Sequence, residues 1–157
     1  MSTLATCLWF DSQAEEASRF YVDTFTRLGR PASIRETSRH TEGGARPAGS
    51  ALVVGFTLDG QSFMVLNGGP HFTFSPAISL AVTCRDQAEV DAFWDALCEG
   101  GGSPGRCGWL TDRFGLSWQV VPSVLPELMR GDPDRAARVM RALMGMSKLE
   151  IAALERA

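Results

Sequence analysis

The sequence predicts an α+β fold made of two tandem βαβββ modules that are followed by a helical tail. A strand, a helix and further strands occur twice along the chain, with an offset of about seventy residues. Apolar side chains alternate along Ala51–Leu58 and along Ala77–Cys84, as in strands that bury one face. Asp59-Gly60 follows the first of these segments and is a strong hairpin signal.

The first module is predicted from local patterns. Asp11 or Ser12 is the expected helix cap, because short polar side chains accept hydrogen bonds from the first free N–H groups of a helix. Apolar residues at helical spacing continue to Leu28. The predicted strands of this module are Thr6–Phe10, Ser33–Thr37, Ala51–Leu58 and Gln61–Leu66.

The second module repeats the order. Asp86 with Glu89 has the spacing of a capping box, and Gly100-Gly101-Gly102 ends the helix behind it. The predicted strands are Ala77–Cys84, Cys107–Thr111 and Leu116–Val121. Helix-facing positions should be bulky, which assigns Ile78, Leu80 and Val82, and Leu116, Trp118 and Val120, to the core.

The predicted organisation is a paired-module region, 1–122, and a helical extension, 123–157. The modules cover about 4–69 and about 76–122. Helical periodicity predicts a helix over Asp134–Met144, and Ser147 with Glu150 predicts a capping box before Ile151–Leu154. We expect the extension to pack on the domain or on a dimer partner.

Composition limits the possible functions. Hydrophobic residues make up 45% of the 157 residues, and the net charge of −3 favours neither nucleic acid nor an anionic membrane surface as a partner. No apolar run is long enough to span a bilayer. The first residues lack a basic region and an apolar stretch, so we expect a cytoplasmic protein. The four cysteines form no CxxC pair and are expected to be reduced thiols.

Several segments resemble one family. These segments are Cys7–Asp11, Asp59–Gln61, Leu66–Pro70, Asp86–Asp91, Cys107–Leu110, Asp112–Gly115 and Ser117–Pro122. In them the sequence is similar to the PhnB-like branch of the glyoxalase, bleomycin-resistance and extradiol dioxygenase superfamily, the vicinal oxygen chelate fold, whose members are often labelled 3-demethylubiquinone-9 3-methyltransferase-like.

The resemblance implies paired modules that form a curved mixed sheet, with helices on the convex face, in a homodimer. It also implies metal ligands near the start of the first strand and in the last strand of each module. Strand matching assigns those positions to Thr6, Met64, Ala77 and Gln119. Divalent metals in such sites require His, Asp or Glu, so we predict no metal and no other cofactor.

The remaining faces of the sheet predict the ligand site. Since bulky faces turn toward the helices, small and mixed faces are left to enclose a space. Gln119 offers a donor and an acceptor there, and Trp109 offers a flat apolar wall. The predicted ligand-binding residues are Thr6, Leu8, Met64, Ser79, Trp109, Ser117 and Gln119.

Two residues are weak catalytic candidates. His71 follows the Asn67–Pro70 turn and either overhangs the cavity mouth or is an ordinary surface histidine. Asp112 either closes the cavity or forms a turn with Arg113 and an exposed ion pair.

Three functions follow from this reasoning. The first is a small-molecule-binding protein without the usual metal site. The second is an enzyme of the same superfamily, of lyase, isomerase or dioxygenase type, acting on a small oxygenated metabolite. The third is a methyltransferase, which is disfavoured because no strand leads through a glycine-rich loop into a helix, as a nucleotide site requires.

Overall fold

A computed structural model describes residues 3–157 of the chain as two compact units. The first unit runs to Thr73 and the second is Phe74–Ala157. Each unit contains one four-stranded mixed sheet and a helix that packs on one face of it. The α+β fold of paired βαβββ modules predicted from the sequence is therefore confirmed.

The first unit has the strand order β1-β4-β3-β2. β1 pairs in parallel with β4, and the other neighbours are antiparallel. Asp59 and Gly60 both have positive φ, at 48° and 79°, which is the two-residue hairpin turn that the sequence predicts. The elements are β1 Thr6–Phe10, α1 Ala14–Arg27, β2 Ala32–Arg39, β3 Ala51–Leu58 and β4 Gln61–Asn67.

The start of α1 differs from the prediction. Neither Asp11 nor Ser12 caps the helix, and Gln13 at the cap position makes no side-chain cap bond. The Ala14 N–H donates instead to Oδ1 of Asn67, at 2.8 Å, and the amide of Asn67 donates to the Ala51 carbonyl. One buried amide at the end of β4 therefore hydrogen-bonds to both the helix and the neighbouring strand.

The second unit repeats the topology with the order β5-β8-β7-β6. Asp86 caps α2 by accepting from the Glu89 N–H, as predicted, and Glu89 accepts from the Arg85 N–H. The elements are β5 Ser79–Cys84, α2 Gln87–Cys98, β6 Ser103–Pro104, β7 Trp109–Thr111 and β8 Ser117–Pro122.

Two details of the second unit correct the predictions. Ile78 is not a core residue, because it precedes β5 and its side chain is 65% exposed. The glycine-rich segment after α2 ends the helix, as predicted, but it leads into β6, a two-residue strand that no pattern indicated. Leu116, Trp118 and Val120 are buried, as predicted.

The tail forms three helices that pack within the second unit. Val139, Leu143, Leu149 and Leu154 form its buried core. Main-chain hydrogen bonds join Cys107 and Gly108 to Met146 and Ser147. The helices are α3 Leu125–Leu128, α4 Pro133–Met144 and α5 Ile151–Glu155.

The predicted capping box of α5 is wrong. The Ser147 hydroxyl donates to the Gly105 carbonyl instead of capping the helix. The Ile151 N–H donates to Oε1 of Gln87, and Nε2 of Gln87 donates to the Leu149 carbonyl. A glutamine at the start of α2 therefore anchors the tail. No local sequence pattern near Ile151 predicts this contact.

No helix within residues 3–157 combines the length and apolar character needed to cross a bilayer.

Candidate ligand-binding face

The sheet of the second unit has one buried face and one open face. Val82, Leu110 and Trp118 lie on the buried face, where α2 packs. The side chains that alternate with them share the opposite face, which we call the polar face. Its residues are Ser79, Ala81, Thr83, Trp109, Thr111, Ser117, Gln119 and Val121.

Gln119 lies at the centre of the polar face. Its Cα partners are Ala81 on the parallel neighbour β5 and Trp109 on the antiparallel neighbour β7. Its Nε2 donates to the Ser79 hydroxyl at 2.9 Å. Within residues 3–157, no protein group donates to Oε1 of Gln119, so this half-buried amide retains an acceptor for a ligand.

Trp109 and Ser117 lie beside this amide. Trp109 is half-buried and directly opposite Gln119, which brings the indole close to the amide. Ser117 is buried, two residues before Gln119 on the same strand face. Four of the seven predicted ligand-binding residues, Ser79, Trp109, Ser117 and Gln119, therefore lie together.

The other three predicted residues belong to the first unit and do not share one face. The register pairs Thr6 with Phe63 and Leu8 with Val65, which turn toward the core. Leu8 is 3% exposed, so its placement on an open face with Met64 is wrong. Met64, which is 39% exposed, pairs with Cys7 on the open face.

The error arises because β1 carries large side chains on both faces. Trp9 lies on the open face, and its Nε1 donates to the Gly69 carbonyl at 2.9 Å. A Cβ atom at Gly68 would lie 2.2 Å from the Trp9 ring, so the indole requires a glycine there. Sequence reasoning missed Cys7 and Trp9 as open-face residues, although Gly68-Gly69 was a usable signal for the close approach.

His71 lies in the first unit and is exposed. Its ring packs edge-on against Trp9 with 6.5 Å between the ring centroids, and Phe72 packs against the same indole at 4.9 Å. His71 therefore belongs to an aromatic cluster at the end of β1. The residues of the polar face all belong to the second unit.

Asp112 has a different environment from either of the predicted ones. It is 3% exposed, which excludes an exposed ion pair with Arg113. Oδ1 accepts from the N–H groups of Phe114 and Leu116, and Oδ2 accepts from the Trp118 indole at 2.9 Å. A carboxylate held by these donors fixes the β7–β8 turn, which favours a structural role over proton transfer.

The side chains at the implied metal positions do not fit a divalent metal. In the observed register, the open-face positions are Cys7 and its partner Met64 in the first unit, and Ala81 and its partner Gln119 in the second. A thiol, a thioether, a methyl group and an amide lack the imidazole and carboxylate donors that such metals prefer. Within residues 3–157, no three His, Cys, Asp or Glu side chains are grouped as a metal site requires.

Comparison with known proteins first confirms the fold. A fosfomycin resistance protein, FosX, from Listeria monocytogenes superposes with a TM-score of 0.60 at 14% identity, covering 83% of this chain and 98% of its own. A Pseudomonas aeruginosa protein also superposes with a TM-score of 0.60, at 20% identity, covering 78% of this chain and 98% of its own. At these identities the likeness shows the paired-module fold alone.

A closer similarity identifies the family. The model of the 3-demethylubiquinone-9 3-methyltransferase family matches residues 2–121. A PhnB protein from Bacillus cereus, which carries the same methyltransferase name provisionally, is 34% identical with a TM-score of 0.69, covering 78% of this chain and 100% of its own. The chain therefore belongs to this PhnB-like family. No curated protein matches it significantly.

Proposed function

We propose that the protein binds a small organic molecule on the polar face of its second unit. The main support for this proposal is the Gln119 amide. Ser79 orients it, and its Oε1 remains available to accept a hydrogen bond from a ligand beside the Trp109 indole. A hydrogen bond in a partly desolvated site discriminates between ligands, because a molecule without the matching group leaves the amide unpaired. The favoured ligand is small and partly aromatic or apolar, with one or two oxygen-bearing polar groups.

The test is a ligand-induced thermal-shift screen followed by affinity measurements on variants. Gln119→Leu should fold normally and bind about tenfold more weakly, as expected for the loss of one hydrogen bond in a ligand site. Gln61→Leu makes the same chemical change at an exposed position of β4 and should leave the affinity unchanged. Trp109→Ala should also weaken binding.

Two outcomes contradict the proposal. The first is that Gln119→Leu unfolds the protein, since Gln119 would then be structural. The second is that Gln119→Leu and Trp109→Ala both retain the affinity of the parent protein for an identified ligand.

The methyltransferase name of the family is tested in the same screen. The connections that lead from β1 into α1 and from β5 into α2 are Asp11–Gln13 and Arg85-Asp86. Neither contains glycine, whereas a nucleotide-binding turn needs glycine for close approach of the phosphates or sugar. We therefore expect no thermal shift with S-adenosylmethionine, and a saturable shift would favour the methyltransferase.

We further propose that binding requires no divalent metal, which the donor chemistry of the open faces supports. We also propose that the protein is a cytoplasmic homodimer. The unpaired edges of the two sheets support the dimer. Elemental analysis of protein purified without chelators should find no stoichiometric zinc, iron or manganese. Light scattering at micromolar concentration should give the mass of two chains, whereas a monomer mass would contradict the dimer.

A further inference from the structure

The helical tail lies outside the part of the chain that the family explains. The family model ends at residue 121, and the Bacillus cereus protein, matched over its whole length, covers 78% of this chain. The tail is nonetheless well packed, with Val139, Leu143 and Leu154 in its buried core. The proposed ligand face of the second sheet therefore does not account for the residues on the surface of the tail.

The tail surface contains a cluster of arginines around one depression, which we call the arginine depression. Arg138 and Arg141 lie three residues apart on α4, and Arg156 follows α5. With Ala142 and Ala157, they line an open depression of about 580 Å³. Residues three apart on a helix are neighbours on its surface, so the two α4 guanidinium groups face the same region.

These arginines differ from several others that form ion pairs. In the first unit, Arg39 pairs with Glu15 at 3.1 Å and Arg46 pairs with Asp11 at 3.1 Å. Within residues 3–157, no carboxylate lies within 4.0 Å of the guanidinium groups of Arg138, Arg141 or Arg156. Asp134 precedes Arg138 by one helical turn, a favourable pairing distance, yet it does not pair with it.

An uncompensated cluster of like charges is unfavourable for the helices that carry it. The chain as a whole has a net charge of −3, so a general excess of basic residues does not account for the cluster. The packing of α4 and α5 fixes the helix positions, so the three exposed arginines line the same depression before any ligand binds. Planar guanidinium groups form paired hydrogen bonds with carboxylate and phosphate oxygens.

We propose that the arginine depression binds a small oxyanion with two or more negative charges, carried by phosphate or carboxylate groups. This site is separate in sequence and chemistry from the polar face around Gln119. Its occupant would be a charged effector or a charged part of a larger metabolite, held by Arg138, Arg141 and Arg156.

The experiment is calorimetric titration of the full-length protein with inorganic pyrophosphate and, separately, with citrate, at constant ionic strength. The double variant R138Q/R141Q should weaken the binding of the preferred anion by about tenfold or more, because charge-assisted hydrogen bonds are lost. The matched control R35Q/R130Q removes the same charge from exposed arginines outside the depression and should bind as the parent does. Circular dichroism should show that both variants are folded.

Saturable binding of pyrophosphate alone, of citrate alone or of both supports the site and identifies the preferred oxyanion. The proposal is overturned if neither anion binds with a Kd of about 1 mM or tighter, since such weak binding is expected of any basic surface. It is also overturned if R138Q/R141Q binds as the parent does. Equal weakening in R35Q/R130Q would show a general charge effect and would overturn it as well.

Discussion

The two units share one topology but use different polar side chains to hold it. In each, the first strand pairs in parallel with the last, and the remaining neighbours are antiparallel. In the first unit, the buried Asn67 amide joins the end of β4 to α1 and β3. In the second unit, the buried Asp112 carboxylate holds the β7–β8 turn. The topology therefore does not depend on one particular polar contact.

The open sheet faces differ as well. In the first unit, the open face carries large apolar groups, among them Trp9, Met64 and Leu66. In the second unit, the corresponding face carries polar side chains, Ser79, Thr111 and Gln119, beside the apolar Trp109 and Val121. Core-facing positions must stay apolar in both units, whereas open positions can change without loss of the fold. The comparison explains why specific ligand recognition is proposed for the second unit.

The largest expected effect on stability is at Asp112. Asp112→Ala leaves three N–H donors, including the Trp118 indole, without their acceptor, so we expect a loss of about 3–5 kcal/mol in the free energy of unfolding. Denaturant titration monitored by tryptophan fluorescence measures it. Asp132→Ala removes an exposed helix cap with one acceptor bond and should cost only about 1 kcal/mol. Equal losses in the two variants would refute the anchoring role.

A smaller effect is expected at the corresponding anchor of the first unit. Asn67→Ala removes the acceptor for the Ala14 N–H and the donor to the Ala51 carbonyl, which should cost about 2–3 kcal/mol in the free energy of unfolding. Gln61→Ala changes an exposed side chain of the same strand and should stay within about 0.5 kcal/mol. Hydrogen exchange should also be faster in the first turn of α1, and unchanged exchange there would contradict the cap.

The smallest effect is pH-dependent and concerns the attachment of the tail. Lys148 binds Asp91 at 2.8 Å and, with Gln87, lowers the pKa of the Asp91 carboxyl. Because the folded pKa is lowered, the stabilisation is complete above the pKa of an unfolded aspartate and disappears as the pH falls through the folded value.

Asp91→Asn is the variant that tests this pair. At neutral pH it should lower the free energy of unfolding by at most about 1 kcal/mol, since the pair is partly exposed. The difference between the variant and the parent should vanish in acid. A difference that persists at a pH where the carboxyl is protonated would show that the ion pair is not its cause.

The sequence predicted the fold well where local patterns determine it. Alternation along Ala51–Leu58 and the Asp59-Gly60 turn gave the first hairpin, and the spacing of Asp86 and Glu89 gave the start of α2. These features depend on residues that are close together in the chain. Because a strand, a helix and further strands recur in the same order, the same reasoning applied to both units.

The remaining features depend on contacts that are distant in sequence. The Asn67 cap joins residues 53 positions apart, and the Gln87 anchor of α5 joins residues 64 positions apart. β1 has large side chains on both faces, so its alternation did not distinguish Leu8 from Trp9. Trp109, Ser117 and Gln119 lie on one face because β7 and β8 form a hairpin with a readable pattern. Ser79 joins that face through the parallel pairing of β5 with β8.

The most direct test of the central claim is side-chain amide NMR during titration with a ligand from the thermal-shift screen. The account predicts that the Nε2 proton resonances of Gln119 and the indole resonance of Trp109 shift with a saturable dependence on ligand concentration. The Gln61 amide and the Trp9 indole in the first unit should stay unchanged. Saturable shifts confined to Trp9 and its neighbours, with Gln119 unaffected, would contradict ligand binding at the polar face.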